Sequence, residues 1–286
     1  MQISPLMRGF AAEVREADLG CIDNRASAKL CELFRQFAVL VLPGQENTTR
    51  DQLRNFASLF GTPSECGDIT NIGEGGNIMP PESLDARYTR GNSLWHMDML
   101  VLDKPPLAAM LLARELPAKG SGSTQFADLQ QAWRSLPAHR RLALRRLRAA
   151  HTMETIRHKM GITDSDELRS EYSPGEHPLV CVDPHSGQPT LFFSAHTSHI
   201  VGTSPQASAA VLDELLETVT QDQHVYTHEW RLGDLLLWSN RRAMHRVLPY
   251  AYKSERRRLW RMEVVGDKRP SSVRPWWVSL WRRQRI

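Results

Sequence analysis

The chain has 286 residues, 41% of them apolar and 24% charged, which allows a sizeable core and excludes a disordered polymer. Its formal charge of +4, from 36 Lys and Arg against 32 Asp and Glu, is too slight for the dominant basic stripe of a nucleic-acid binder. No run approaches the roughly 18–20 apolar residues that span a bilayer, and no charged-then-apolar leader opens the chain, so a cytoplasmic protein with no integral membrane segment is expected, built as a single domain over 1–286.

In chain order, Leu30, Leu33, Phe34 and Phe37 recur at helical spacing, which predicts an amphipathic helix over 26–37. The run Ala38-Val39-Leu40-Val41-Leu42 reads as a buried strand stopped by Pro43-Gly44. Thr48 or Thr49 can cap a second helix that continues through Leu59 and ends at Gly61. Residues 64–92 lose periodicity and fill with Gly, Pro, Ser and Asn. A long irregular segment in a compact domain suits an active-site lid. Residues 107–112 read as a strand, 128–148 as two helical runs broken near Pro137, and 152–178 as a second irregular insertion. Further strands are expected at 190–193, 224–230, 234–238 and 257–265, with one helix over 206–220 between them. Strands bracketed by helices, without βαβ alternation, argue against a parallel doubly wound sheet. An antiparallel barrel or jelly roll with flanking helices fits better. The four cysteines, Cys21, Cys31, Cys66 and Cys181, fit neither a disulfide framework nor a zinc pattern and are expected to be reduced.

The segment Asn92-Ser93-Leu94-Trp95-His96-Met97-Asp98 is the most informative about chemistry. On a strand, His96 and Asp98 share a face and Met97 turns away. Two His and one carboxylate suit non-haem Fe(II), because that set leaves coordination positions open for a cosubstrate and O2. A lone H-x-D is short and recurs by chance. Among the eleven histidines, the pair His196-x-x-His199 has no acidic partner nearby and reads as structural or as part of a substrate loop. His151, His158, His177 and His185 lie in polar stretches and are expected at the surface.

Thr124 follows Asp98 by about two dozen residues, His245 comes much later, and Arg257 lies about a dozen beyond it. This order resembles the taurine dioxygenase and 2,4-dichlorophenoxyacetate dioxygenase (TauD/TfdA) family. The likeness extends over nearly the whole chain, through residues 41–45, 56–61, 92–98 and 122–128, Gly233-Asp234-Leu235 and Trp238-Ser239-Asn240-Arg241. The resemblance implies a mainly β fold with flanking helices around a double-stranded β-helix, a cupin-like jelly roll with iron near one open end. It implies His96, Asp98 and His245 as metal ligands. With the carboxylate of Asp98 in place, it favours hydroxylation over halogenation.

The cofactors so implied are Fe(II), 2-oxoglutarate as cosubstrate, and O2. The distal carboxylate of 2-oxoglutarate wants a planar, permanently charged partner and a nearby hydroxyl. Arg257 and Thr124 match those positions. Arg256, Arg257 and Arg258 are consecutive and all fall near the family spacing. Arg257 is preferred because Arg261 then stands four residues on, on the same strand face with Leu259 between. By the same resemblance Arg261 receives the anionic group of a small organic substrate, and Asn92 is a substrate-side residue. The implied reaction hydroxylates a C–H bond and releases succinate and CO2, with cleavage where that carbon bears oxygen, nitrogen or sulfur. Closure of the 64–92 segment would exclude water.

The sequence departs from the family pattern at Ser239, where Asp is usual, and at Gly120-Ser121-Gly122-Ser123-Thr124, and the 64–92 segment matches neither named relative. These departures leave the substrate open. Two other readings stand beside the main one: a cupin-like metalloenzyme of non-oxidative class, and a catalytically inactive relative that binds a metal or small anion. The tail over 270–286, with Trp276-Trp277 and Trp281-Arg282-Arg283, is expected to form a homo-oligomer contact or a packed end rather than a membrane anchor.

Overall fold

The structure is a computed structural model that describes residues 1–163 and 172–273, so the aromatic tail and its expected oligomer contact lie outside the described residues. Strands β1 (Gln2–Met7) and β2 (Ala11–Arg15) form an antiparallel hairpin. Helix α1 (Asn24–Gln36) starts where Asp23 accepts from the Ala26 amide at 2.7 Å, and it buries Leu30, Leu33 and Phe34 as their spacing predicts. Strand β3 (Val39–Leu42) is buried on both faces, Val39 and Val41 on one and Leu40 and Leu42 on the other, so no polar alternation marks it. Helix α2 (Arg50–Ser58) opens with a capping box in which Thr49 and Gln52 exchange hydrogen bonds.

The segment 64–92 is more ordered than its composition suggests. It contains most of β4 (Pro63–Glu65), then β5 (Ile69–Thr70) and helix α3 (Leu84–Gly91), capped by Ser83. Its order comes from pairing with a distant strand, not from its own periodicity. Next come β6 (Ala108–Glu115) and β7 (Thr124–Asp128), then α4 (Leu129–Ser135) and α5 (Ala138–Leu144), which Pro137 separates. The insertion over 152–178 carries regular structure at both ends. It lies between β8 (Arg148–His151) and the end of β9 (Gly175–Pro178), and begins with α6 (Met153–Lys159). Strands β10 (Val180–Val182), β11 (Pro189–Leu191) and β12 (Thr197–Ile200) lead to α7 (Pro205–Val219). Strands β13 (Val225–His228), β14 (Leu235–Ser239), β15 (Ala243–Val247) and β16 (Arg258–Val264) close the described chain.

The main sheet has eight strands in the order β1-β2-β3-β14-β6-β16-β4, with β5 also on β16. Only the β2–β3 pairing in it is parallel. A three-stranded sheet, β13-β7-β15, contributes Phe126 and Ala243 to a buried cluster with Val41, Leu111, Leu236, Trp238 and Leu259 of the main sheet. This is the interior of the jelly roll. The other face of the main sheet packs Leu40, Met110, Leu237 and Met262 under Leu33, Phe34, Leu53 and Phe56 of α1 and α2. Truncating one of these fully buried leucines, Leu40→Ala, would cost about 2–5 kcal/mol. Two smaller sheets, β12-β8-β9 and β10-β11, pack Ala149, Val180, Leu191 and Ile200 into a second cluster with Met97, Ala127 and Met244.

His151 and His177 are buried, contrary to the surface positions expected of them. Strands β8 and β9 pair so that Arg148 and Glu176 face outward in an ion pair while His151 and His177 turn inward, their rings 5.4 Å apart. The polar flanks report only the outer face of this ribbon. His158 is exposed as expected, and His185 is half-buried with its ring 4.8 Å from that of Phe34. Among the described residues no helix is long and apolar enough to cross a membrane.

Candidate active site

His96 and His245 are distant in sequence and adjacent in space. The His96 amide donates to the His245 carbonyl at 3.0 Å, and the His245 amide returns a bond of 2.8 Å. This one bridge adds residue 96 to the edge of β15. It brings the two rings to 4.1 Å between centroids. Trp238, at 4.8 Å, and Phe126, at 6.0 Å, form the apolar shelf behind His245. Asp98 is not on a strand, as the i, i+2 argument supposed. The chain turns there, and Met99 takes a left-handed φ of 50°. The convergence survives because the turn folds the carboxylate back toward the histidines, while Met97 is buried in the opposite cluster.

Nε2 of His96 and Nε2 of His245 each stand 3.9 Å from Oδ1 of Asp98. Ligating atoms of all three residues lie within 4.8 Å of one another, a span that a first-row ion bound at about 2.0–2.2 Å can bridge. Nδ1 of His96 lies 2.7 Å from the Leu94 carbonyl, which can only accept, so that nitrogen carries the proton and Nε2 presents its lone pair to the site. Burial holds both imidazoles well below the ordinary histidine range, His245 at about 3, so they are neutral ligands. Burial also pushes the Asp98 carboxyl up, but His245, Arg261 and His96 together outweigh it and leave it low. Oδ2 of Asp98 is buried with no hydrogen-bond partner. A buried carboxylate with Oδ1 facing two neutral imidazoles and Oδ2 lacking a partner is a costly arrangement that a divalent cation relieves. The donor set therefore fits iron, and no second cluster of three such groups occurs among the described residues.

Arg257 lies just before β16 and is 2% exposed. Its amide donates to Oδ1 of Asn71 at 2.8 Å, and one guanidinium nitrogen donates to the Gly122 carbonyl at 3.3 Å. Gly122 has a φ of +67°, and a Cβ there would meet Nε of Arg257 at 3.3 Å, so glycine is needed for this approach. Burial pulls the guanidinium down to about 10, and its Nε has no partner. Arg256 and Arg258 point elsewhere, to Glu115 at 2.7 and 3.6 Å. Oγ1 of Thr124 accepts from the indole of Trp230 at 2.9 Å, which leaves its own proton free to donate. Thr124, Arg257, Asn92 and Arg261 line one narrow cavity with His96, Asp98 and His245.

A wider cavity of 480 Å³ adjoins it and shares Asn92, His96, Asp98 and Arg261. The 64–92 segment walls one side through Ile69, Thr70, Met79 and Tyr88, and α6 walls another through Met153 and Ile156. His196 also faces it, 4% exposed and lowered to about 3 by burial, whereas His199 is exposed. The sequence carries no signal for Met99, Met153 and Met160, which reach the wall only through tertiary folding. It does carry one for Asn240, within the Trp-Ser-Asn-Arg stretch. Its side chain accepts from the Asp98 amide at 2.7 Å and donates to the Asp98 carbonyl at 2.9 Å.

A jelly roll that brings two histidines and a carboxylate together beside a buried arginine defines a non-haem iron oxygenase of the 2-oxoglutarate class. The profile of the "Taurine catabolism dioxygenase TauD, TfdA family" matches residues 2–262, and the chain belongs to that family. It is 34% identical over 281 residues to the alpha-ketoglutarate-dependent 2,4-dichlorophenoxyacetate dioxygenase of Cupriavidus pinatubonensis, covering 92% of this chain and 97% of the relative. It is 29% identical to the (S)-phenoxypropionate/alpha-ketoglutarate-dioxygenase of Sphingobium herbicidovorans, covering 93% and 95%. Among solved structures, AAD-2 in complex with Mn(II) and N-oxalylglycine superposes with a TM-score of 0.89 at 29% identity, covering 94% of this chain and all 100% of that one. There Mn(II) stands in for Fe(II), and N-oxalylglycine for 2-oxoglutarate. The protein is thus an Fe(II)- and 2-oxoglutarate-dependent dioxygenase that uses O2. The non-oxidative and inactive readings are not favoured.

Proposed function

We propose that this dioxygenase hydroxylates a C–H bond of a small, singly charged organic anion with an apolar body, with His96, Asp98 and His245 holding the iron. The observation that carries this reading is the continuity of the site. An unpartnered carboxylate oxygen and two neutral imidazoles stand between a buried arginine and a wider cavity, part apolar and part polar, that holds a second arginine. When bound, Fe(II), 2-oxoglutarate and O2 supply the oxidising chemistry, with succinate and CO2 released.

Arg257 and the Thr124 hydroxyl hold the distal carboxylate of 2-oxoglutarate. Arg257 offers an unpartnered Nε, and the low dielectric around it strengthens the pair. Arg261 and Asn92 receive the anionic group of the substrate, while Ile69, Ile72, Met99 and Ile156 take its apolar body. Methionines adapt to irregular shapes, so this wall suits a bulky or aromatic body. Residues 64–92 act as the lid that excludes water during turnover. The substrates for which the relatives are named, 2,4-dichlorophenoxyacetate and (S)-phenoxypropionate, have this form. The four free cysteines suit the cytoplasm.

Anaerobic titration of the apoprotein with Fe(II) and 2-oxoglutarate tests the metal and cosubstrate assignments. The wild type should develop a metal-to-ligand charge-transfer band that His245→Ala lacks. No band in the wild type at saturation would sink them. Succinate release with a panel of aryloxyalkanoates and alkyl sulfates then tests the substrate class.

A further inference from the structure

On β16 the side chains alternate. Trp260, Met262 and Val264 pack outward beneath the helices, while Leu259 joins the interior cluster. Arg261 and Glu263 share the face of Leu259. Nη2 of Arg261 donates to Oε1 of Glu263 in a close ion pair. Glu263 is 8% exposed and lines neither cavity, whereas Arg261 lines both. The carboxylate therefore stands behind the guanidinium, on the side away from the substrate space.

Orientation of Arg261 alone does not call for a charge. A neutral acceptor at position 263 would hold the same nitrogen. A carboxylate here is expensive, because it is buried and Asp98 is a second negative group nearby. Burial pushes the Glu263 carboxyl up, and the adjacent guanidinium opposes the rise. The effect specific to a carboxylate is on field strength. Among the described residues, Arg261 is the one Lys or Arg lining the 480 Å³ cavity, whose wall also carries Asp68, Glu74 and Asp85. With Glu263 behind it, the guanidinium keeps its directional donors but loses most of its net attraction for an anion.

We propose that Glu263 is a specificity-determining residue. By neutralising Arg261 from behind, it makes the substrate receptor weak and selective for singly charged over doubly charged anions. The inference rests on the reading of Arg261 as the receptor for the anionic group. A weak receptor has a kinetic consequence. Where hydroxylation leaves the anionic group in place, the product is gripped as firmly as the substrate, and such uniform binding gives no acceleration while slowing release. A neutralised arginine positions the anion without retaining it.

The test uses the holoenzyme with Fe(II) and 2-oxoglutarate, without O2, at mildly alkaline pH so that Glu263 is ionised. Dissociation constants are read from changes in the charge-transfer band. The probes are 2,4-dichlorophenoxyacetate, its neutral methyl ester, and phenyl phosphate as a dianion. Glu263→Gln keeps the shape and an acceptor oxygen and removes only the charge. It should tighten 2,4-dichlorophenoxyacetate about tenfold and phenyl phosphate by more, and leave the ester within about twofold. Glu263→Thr should shift the anions in the same direction, and it serves if the Gln variant does not fold. Anion affinity that is unchanged or weaker in the folded variants, or an ester that shifts in step, would overturn the proposal. A wild type that shows the band but responds to no anion would instead overturn the role given to Arg261, and this inference with it.

Discussion

Asn240 grips the backbone of Asp98 from both sides, accepting from its amide at 2.7 Å and donating to its carbonyl at 2.9 Å, with a further bond from Nδ2 to the Pro106 carbonyl at 3.2 Å. Asp98 sits in a turn, next to a residue with a left-handed φ, so no strand ladder fixes its position. The amide of Asn240 takes over that task. Both groups are buried, so Asn240→Ala leaves several backbone groups unsatisfied and should cost about 2–4 kcal/mol of stability. Outer partners of metal ligands typically tune affinity by about 10–100-fold, and the same loss of Fe(II) affinity is expected here. Anaerobic Fe(II) titration alongside thermal unfolding checks both. A destabilised variant with wild-type iron affinity would restrict Asn240 to a structural role.

Acid should destabilise the apoprotein through His151. This ring is fully buried, and burial lowers it from 6.5 to about 3, with the neighbouring His177 adding to the effect. In the unfolded chain it binds a proton near 6.5, before the folded protein does. Its contribution to stability is therefore fully present above 6.5 and is lost as pH falls toward 3. The slope is about 1.4 kcal/mol per pH unit for one such group. His151→Phe removes that proton. It should be less stable than wild type at neutral pH, because it forgoes the bond between Nδ1 and Thr197 at 3.1 Å, and it should lose less stability on acidification. Urea midpoints across that range measure the slope, and identical slopes would refute the assignment.

Much of the site was legible because its chemistry is carried by residue identity and order. His96, Asp98, His245, Thr124 and Arg257 line one cavity, as the resemblance implied. The arginine ambiguity was not resolvable from spacing. Burial separates the three, since Arg257 is buried while Arg256 is exposed and Arg258 only half-buried, both facing Glu115. Strands with a clear apolar run, such as Val39–Leu42 and Leu235–Ser239, were read within a residue or two. The hairpin Gln2–Arg15 and the ribbon that buries His151 and His177 were missed. Neither carries an apolar period of its own: the hairpin pairs locally but only its second strand is buried, beside β3, and half of the ribbon's side chains are polar. The pairing of Glu263 with Arg261 was open to an i, i+2 reading, but a carboxylate two residues after an arginine on a strand is usually solvated, and only its burial makes it notable.

The pair named for AAD-2, Mn(II) and N-oxalylglycine, should stabilise this protein without turnover. Binding to the folded state alone adds about 2.7 kcal/mol when a ligand is at a hundred times its dissociation constant. In the proposed site, Mn(II) would be held by the Asp98 carboxylate with the two imidazoles, and N-oxalylglycine would give the buried Arg257 an anionic partner. The two together should raise the unfolding temperature by more than the sum of their separate effects, because each completes the other's site. Additive or absent shifts in the wild type would count against a shared site, and His96→Ala should abolish the Mn(II) contribution.

The separation between Arg257 and its neighbours gives the sharpest test of the cosubstrate end. Arg257→Lys keeps the charge but replaces a planar fork by a point donor, and it forfeits the bond to the Gly122 carbonyl. The loss of paired, charge-assisted donors in a buried setting is on the order of 2–3 kcal/mol, so the KM for 2-oxoglutarate should rise about 30- to 150-fold. Arg258→Lys alters only a half-exposed pair with Glu115, and it should leave that KM within about threefold. Succinate release against 2-oxoglutarate concentration measures both. If Arg258→Lys carried the larger effect, β16 would have to be rotated by one residue from the register in which Leu259 pairs with Ala113 and Arg261 with Leu111. That rotation would turn Leu259 out of the interior, so the kinetic result and the packing of the barrel stand or fall together.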